Sequence, residues 1–212
     1  MTVLVCAAHA DDEVIGLGGT IAKFAKTEDV IVVIFFYGAN FAGRIWSWPP
    51  TLNEEQLTKK RVYESQKAGN YLGVTETIFL GMKGETDTID ESRKQLLEAI
   101  IKKYKPNKIF YHSIKDGHKD HRLVNRVMKE IIPKIEEKPE IFTYQINLFD
   151  FSHREPKIIF DVSNEFNKKL KALDFFKTQR ISVMLLKPLI LLKSLYFGKK
   201  HNVGFAEYFF TE

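Results

Sequence analysis

Residues 3–36, VLVCAAHADDEVIGLGGTIAKFAKTEDVIVVIFF, decide the fold. The opening apolar run, 3–8, is short enough for a strand buried on both faces. Residues 14–26 form a glycine-rich helical pattern with Ile15, Ala22 and Ala25 among its apolar positions. Residues 30–36 are β-branched and aromatic, which suits a second buried strand. Strand, helix and strand in that order make a parallel crossover unit, nearly always right-handed.

The same alternation continues outward. A turn-rich stretch holds Trp46, Trp48, Pro49 and Pro50, and the proline pair stops regular structure there. Helices are expected over 53–72 (closed by Gly73), 91–104, 119–132 and 164–177, with strands over 77–80, 108–112, 141–146 and 157–160. The pattern predicts one domain, 1–212: a Rossmann-like, doubly wound α/β/α sandwich with a mainly parallel sheet. In such sheets the reactive crevice lies beyond the carboxyl ends of the strands. Chemistry is therefore expected just after Ala8, Phe36 and His112.

Composition narrows the class. The chain has 212 residues, 44% hydrophobic and 28% charged, which fits a folded globular protein rather than a disordered one. One cysteine, Cys6, excludes an intrachain disulfide framework and a multi-cysteine zinc knuckle. No uninterrupted apolar run reaches about 18 residues, so no membrane span is expected. The first residues lack the basic region of a secretory leader, and a cytoplasmic location follows as the expectation. A net charge of +5, spread along the chain, permits an anionic substrate or a membrane surface. No nucleic-acid-binding motif accompanies it, so no nucleic-acid partner is expected.

Two polar clusters fall where the fold places a site. His9-Ala10-Asp11-Asp12-Glu13 follows the first strand, and Asp116-Gly117-His118-Lys119-Asp120-His121 follows the strand ending at His112. Each has a plain structural reading, since carboxylates favour a helix N-terminus and a histidine at a helix start can simply be solvated. Their joint placement at two strand ends points to chemistry instead.

On these residues the chain resembles the PIG-L/LmbE-like family of zinc-dependent N-deacetylases. That family carries Ala-His-Pro-Asp-Asp-Glu after its first strand, matched here by residues 8–13 with Ala10 in place of proline, and a later His-x-Asp-His, matched by His118-Lys119-Asp120-His121. Gly16, Gly18 and Gly19 fit its glycine-rich helix. Arg61, Glu64, Ala68, Leu72 and Gly73 fit a second helix pattern. Thr178-Gln179 and 205–209 (FAEYF) resemble its closing segments. Proline at position 10 would stiffen the turn, but alanine removes no ligand. The loop 38–44 keeps its glycines without the usual family wording.

The resemblance implies hydrolysis of an N-acetyl group on an N-acetylglucosamine-type sugar or glycoconjugate, releasing acetate. It implies zinc, with ferrous iron as the alternative, held by His9, Asp12 and His121 with one position left open. Asp11 then serves as general base and returns the proton to the leaving amine. His118 is the oxyanion partner, kept cationic and oriented by Asp120. Glu13 and Asp116 support the turn and the ligands. Arg61 matches a position near the family's pocket and suits a substrate contact; a plain Arg61–Glu64 helix pair is its structural alternative. Arg44, Trp46 and Trp48 suit either a sugar or an interface.

Other features stay outside that scheme. His112 fits either a crevice position or a satisfied strand end, His153 and His201 a surface, and Cys6 a buried, inert site. Residues 181–197, ISVMLLKPLILLKSLYF, are strongly apolar but broken by Lys187, Pro188 and Lys193. A core helix pair or a contact between copies in a homo-oligomer is the first reading. The second is an interfacial element peripheral to a membrane, which would suit a lipid-linked substrate. Pro188 argues against one continuous helix. A non-catalytic glycan-binding or scaffold protein on the same fold is the competing function, and it predicts a broken ligand set. A nucleotide site ranks below both, because the glycines form no G-x-G-x-x-G.

Overall fold

The computed structural model describes residues 1–38, 47–82, 88–146 and 158–211. Arg44, Trp46 and His153 lie outside the described residues. In chain order the elements are β1 (Thr2–Ala7), α1 (Asp12–Phe24), β2 (Asp29–Phe36), α2 (Glu54–Leu72), β3 (Glu76–Met82), α3 (Glu91–Tyr104) and β4 (Lys108–His112). Then come α4 (Lys119–Ile131), β5 (Glu140–Tyr144), β6 (Ile158–Asp161), α5 (Phe166–Ala172), α6 (Arg180–Lys200) and β7 (Ala206–Thr211).

The seven strands form one sheet in the order β3-β2-β1-β4-β5-β7-β6. The first five are parallel, with Val5 of β1 beside Val32 of β2 on one side and Phe110 of β4 on the other. Side chains alternate across a strand, so β1 buries Val3, Val5 and Ala7 on one face and Leu4 and Cys6 on the other. The first face packs on α1, α2, α5 and α6, the second on α3 and α4. Both faces are covered, as a doubly wound fold requires. From β1 the chain runs outward through β2 and β3, then returns to place β4 on the far side of β1. The strand order therefore reverses between the ends of β1 and β4, which opens a crevice there.

Local chemistry explains the boundaries. Asn53 caps α2 through a reciprocal capping box with Gln56, and Gly73 ends it at φ 100°, a conformation that disfavours a Cβ. Asp90 caps α3 by accepting from the Arg93 N–H. Helix α1 is broken at Leu17 (φ −144°), and the carboxylate of Glu207 accepts from the Gly19 and Thr20 N–H groups of its second half.

The mainly parallel sheet occurs as expected, with one antiparallel edge, and two other expectations are corrected. The C-terminal edge is antiparallel, with β7 returning beside β5 and β6 beside β7. What binds this edge is aromatic: Phe209 of β7 meets Phe110 and Phe160 at ring-centroid distances of 5.1 and 5.2 Å. The helix expected over 164–177 ends at Ala172 and gives way to 3-10 turns. The apolar C-terminal stretch is one helix, α6, rather than a pair, and runs through Pro188. Pro188 faces outward, so the Met184 carbonyl it leaves without an N–H partner can be met by solvent. The stretch Lys177–Lys200 is also long and apolar enough to cross a membrane by length and composition, because lysines interrupt its apolar run without lowering its mean hydropathy far.

Candidate active site

The crevice between β1 and β4 gathers both polar clusters. From β1 the chain turns at His9, whose backbone N–H donates to Asp12 Oδ2 at 2.8 Å. Asp11 caps α1 at φ 134°, a left-handed strain that costs a non-glycine residue on the order of 1–3 kcal/mol. Glu13 Oε2 accepts the Asp11 N–H at 3.0 Å and Ser65 Oγ donates to Glu13 Oε1 at 3.3 Å, so buried groups hold the strained turn. From β4, His118 caps α4 by accepting the Asp120 N–H on Nδ1 at 3.2 Å.

Asp12 is the hub. Its Oδ2 lies 3.3 Å from His9 Nδ1, 3.2 Å from His121 Nε2 and 3.4 Å from His112 Nε2. His9 Nε2 meets Asp120 Oδ2 at 3.0 Å, and His121 Nδ1 pairs with Asp116 Oδ1 at 2.9 Å. His112 stacks on His121 at 4.0 Å between centroids. All the carboxylates named here are buried, as are His112 and His121, while His118 lies at the exposed rim.

These neighbours move the protonation equilibria apart. Burial, with help from the Asp12 charge, pushes Asp11 up to about 7, and burial lifts Glu13 to about 8. Burial also opposes the charge on Asp12, yet the surrounding imidazoles win and hold it well below the carboxylate range. For His9 and His121 burial is likewise outweighed, by Asp12 and Asp120 for the first and by Asp12 and Asp116 for the second; they rise to about 9 and about 10. His112 is pulled down to about 4, by burial first and then by the His121 charge. Titratable groups with such divergent environments are typical of sites that move protons.

The structure thus brings His9, Asp11, Asp12, His118, Asp120 and His121 together. Within the group one expectation changes. Asp120 turns to His9 rather than to His118, from whose Nδ1 its carboxylate stands 3.9 Å away. His118 Nδ1 accepts a backbone N–H, which leaves the proton of the neutral ring on Nε2, and burial with the neighbouring His9 and His121 charges lowers its pKa. Arg61 is buried, its Nη1 donating to the Gly38 carbonyl and its Nη2 to Ser47 Oγ at 3.1 Å. Glu64 accepts from Thr178, at N and Oγ1, and forms no ion pair with Arg61 among the described residues. Arg44 falls outside the described residues.

Three further residues belong to the site. His112 accepts the Ala8 N–H on Nε2 at 3.0 Å. The Tyr144 hydroxyl lies 3.3 Å from that nitrogen and donates to the Cys6 carbonyl. Gln179 Nε2 donates to Asp11 Oδ2 at 2.6 Å. Position after a strand end could have flagged His112; Gln179 lies 168 residues from Asp11, and only the closing-segment resemblance marks it.

The donor set fits a divalent cation. The ligand atoms of His9, His118 and His121 lie within 4.8 Å of one another, as do those of Asp12, His112 and His121. The expected triad His9, Asp12 and His121 draws on both groups. Imidazole nitrogen with carboxylate oxygen suits zinc and neighbouring transition metals. Asp120 Oδ1 and His112 Nδ1 are buried without a hydrogen-bond partner, which is unusual outside functional sites.

Comparison with known proteins bears on this arrangement. A Bacillus cereus protein named "Probable N-acetyl-alpha-D-glucosaminyl L-malate deacetylase 2" is 27% identical over 184 residues, covering 84% of this chain and 83% of its own length. Among solved structures, N,N'-diacetylchitobiose deacetylase from Pyrococcus horikoshii superposes with a TM-score of 0.82 at 22% identity, over 100% of this chain and 83% of that one. A 4-carboxy-2-hydroxymuconate hydratase from Pseudomonas putida superposes equally well (TM-score 0.82, 20% identity, 99% and 95% covered). The fold itself therefore does not fix the reaction. The family model described as PIG-L, GlcNAc-PI de-N-acetylase, matches residues 4–132, which contain both polar clusters, and the chain belongs to that deacetylase family.

Proposed function

We propose that the protein is a divalent-metal-dependent amidohydrolase, with zinc as the metal, that removes acetyl from an N-acetylglucosamine-type sugar or glycoconjugate. One observation carries the reading: a strained, buried carboxylate with a pKa near 7, Asp11, stands beside a carboxylate shared by imidazoles at the topological switch point. The family and the Bacillus relative both bear names built on N-acetylglucosamine, which supports the sugar class.

His9, Asp12 and His121 would hold the cation. When bound, it would polarise the acetyl carbonyl and acidify the attacking water toward a pKa of about 7. Asp11 accepts the proton of that water on its carboxylate and passes it to the amine as the C–N bond breaks; a pKa near 7 suits both transfers. Gln179 fixes the rotamer of Asp11 from the start of α6. His118, at the rim, donates through Nε2 to the oxygen that becomes negative. Asp116 orients His121, and Asp120 orients His9.

The test is an amine-release screen of the zinc-loaded protein over N-acetylated sugars, nucleotide sugars and lipid-linked sugars, with Asp11→Asn as control. Release of glucosamine-type amine and acetate in equal amounts, lost in Asp11→Asn, is expected. Full turnover in Asp11→Asn with metal retained would remove the proposed base. Metal bound without release from any substrate would favour the non-catalytic glycan-binding reading.

A further inference from the structure

Helix α6 begins at the active site and ends in basic residues. Its outer face carries Ile181, Met184, Leu185, Pro188, Leu192 and Tyr196, all exposed, with Met184 and Leu185 at 62% and 63%. At 100° per residue these positions fall within one arc about 120° wide. A contiguous exposed apolar stripe of this kind marks an interaction surface. Arg180, Lys187 and Lys200 project near the borders of the arc and Lys199 lies at its C-terminal end. Between Asp174 and Glu207 the chain has no carboxylate side chain.

The inner face fixes how the helix lies. Val183, Ile190, Lys193, Ser194 and Phe197 are buried against the domain. Lys193 Nζ sits over the Tyr208 ring at 4.7 Å, and Phe197 packs on the same ring at 4.4 Å. A helix held this way lies along the surface and cannot cross a bilayer without leaving its own domain. At its N-terminal half an open cavity of about 380 Å³ is lined by Phe176, Lys177, Arg180, Val183, Met184 and Lys187, together with Asp174, which pairs with Lys187 at 2.6 Å. Apolar walls with a cationic surplus suit a phosphate headgroup and the first carbons of its chain.

We propose that the outer face of α6 docks on an anionic lipid bilayer and holds the active site beside the headgroup layer. The docking does not rest on the deacetylase reading above. Apolar side chains enter the acyl boundary while the flanking cations meet anionic headgroups. A second copy of this chain is the poorer occupant, because two-fold pairing along the stripe would bring the same cations together. The Gln179–Asp11 bond and the Thr178–Glu64 bonds tie the start of α6 to the catalytic cluster, so docking and site move as one piece.

The experiment is co-sedimentation of the full chain with vesicles of phosphatidylglycerol and phosphatidylcholine, and with phosphatidylcholine vesicles as the neutral arm. Binding to the anionic vesicles that weakens with salt is expected. Leu185→Asp/Leu192→Asp should lower it about 100-fold or more, because two exposed leucines no longer enter the acyl boundary. Lys199→Gln/Lys200→Gln should lower it about 30-fold at low salt, at about 5-fold per lysine. Both variants should keep wild-type turnover on a short soluble N-acetylglucosaminide. No association at low salt, association indifferent to Leu185→Asp/Leu192→Asp, or a dimer split by that variant without vesicle binding would each overturn the docking. Vesicle binding without deacetylation of any substrate would leave the docking standing and remove the deacetylase reading instead.

Discussion

Two buried charged clusters lie on either side of α1, and they behave differently. At the broken middle of the helix, Glu207 accepts from the Gly19 and Thr20 N–H groups and from Lys169 Nζ at 2.6 Å, so its oxygens are matched. At the N-terminus of the same helix, Asp11 is strained, Asp120 Oδ1 and His112 Nδ1 lack hydrogen-bond partners, and imidazoles crowd one carboxylate. The first cluster shows what a buried ion pair looks like when its work is structural. The second is under-satisfied in the way that leaves room for a cation and a proton in transit.

The comparison breaks most visibly in turnover. Asp11→Asn should lower kcat about 10²- to 10⁴-fold while the melting temperature stays near wild type, measured by amine release and thermal unfolding. Glu207→Gln should do the reverse. It leaves Lys169 buried without its counter-charge and should cost about 3–5 kcal/mol of stability in denaturant unfolding, while the folded fraction keeps its kcat. If Glu207→Gln spared stability, or Asp11→Asn destabilised the fold by as much, the two clusters would not differ in kind.

A third prediction concerns pH. Asp11, Glu13, His9 and His121 have native pKa values raised to about 7, 8, 9 and 10. A raised native pKa gives stability that is complete below the unfolded value and lost as pH rises through the native one. Asp12 and Asp116, with lowered values, contribute fully throughout the range above pH 6. The chelated protein should therefore lose melting temperature between pH 6 and 8.5. A cation must displace the protons on His9 and His121, so its affinity and its stabilising effect should climb over the same interval. Calorimetric metal titration at several pH values checks this, and a flat profile would contradict it. The smallest effect lies away from both clusters: Asn53→Ala, which removes the α2 cap, should cost about 1 kcal/mol and leave kcat unchanged.

The parallel half of the molecule was legible in the sequence because its signals are local. Buried strands such as 108–112 and capped helices such as 91–104 carry their own boundaries, and both occur as expected. The antiparallel edge was not, since nothing near 206–211 says that it pairs with Phe142 and Thr143 of β5, far back in the chain. The C-terminal stretch misled for a different reason: an outward-facing proline is tolerated where an inward one is not. In the site, the His and Asp residues of the two strand ends could be found from position. Gln179 and Tyr144 could not be given roles, because each reaches the cluster only through packing of distant elements.

A crystal structure of the zinc-soaked protein, with anomalous data at the zinc edge, shows whether the two polar clusters share one cation. One anomalous peak is predicted, at coordination distance from side-chain atoms of His9, Asp12 and His121, with Asp11 and His118 outside the coordination sphere. A peak bound by His118 in place of Asp12, or no peak in this crevice at a saturating concentration, would contradict the account.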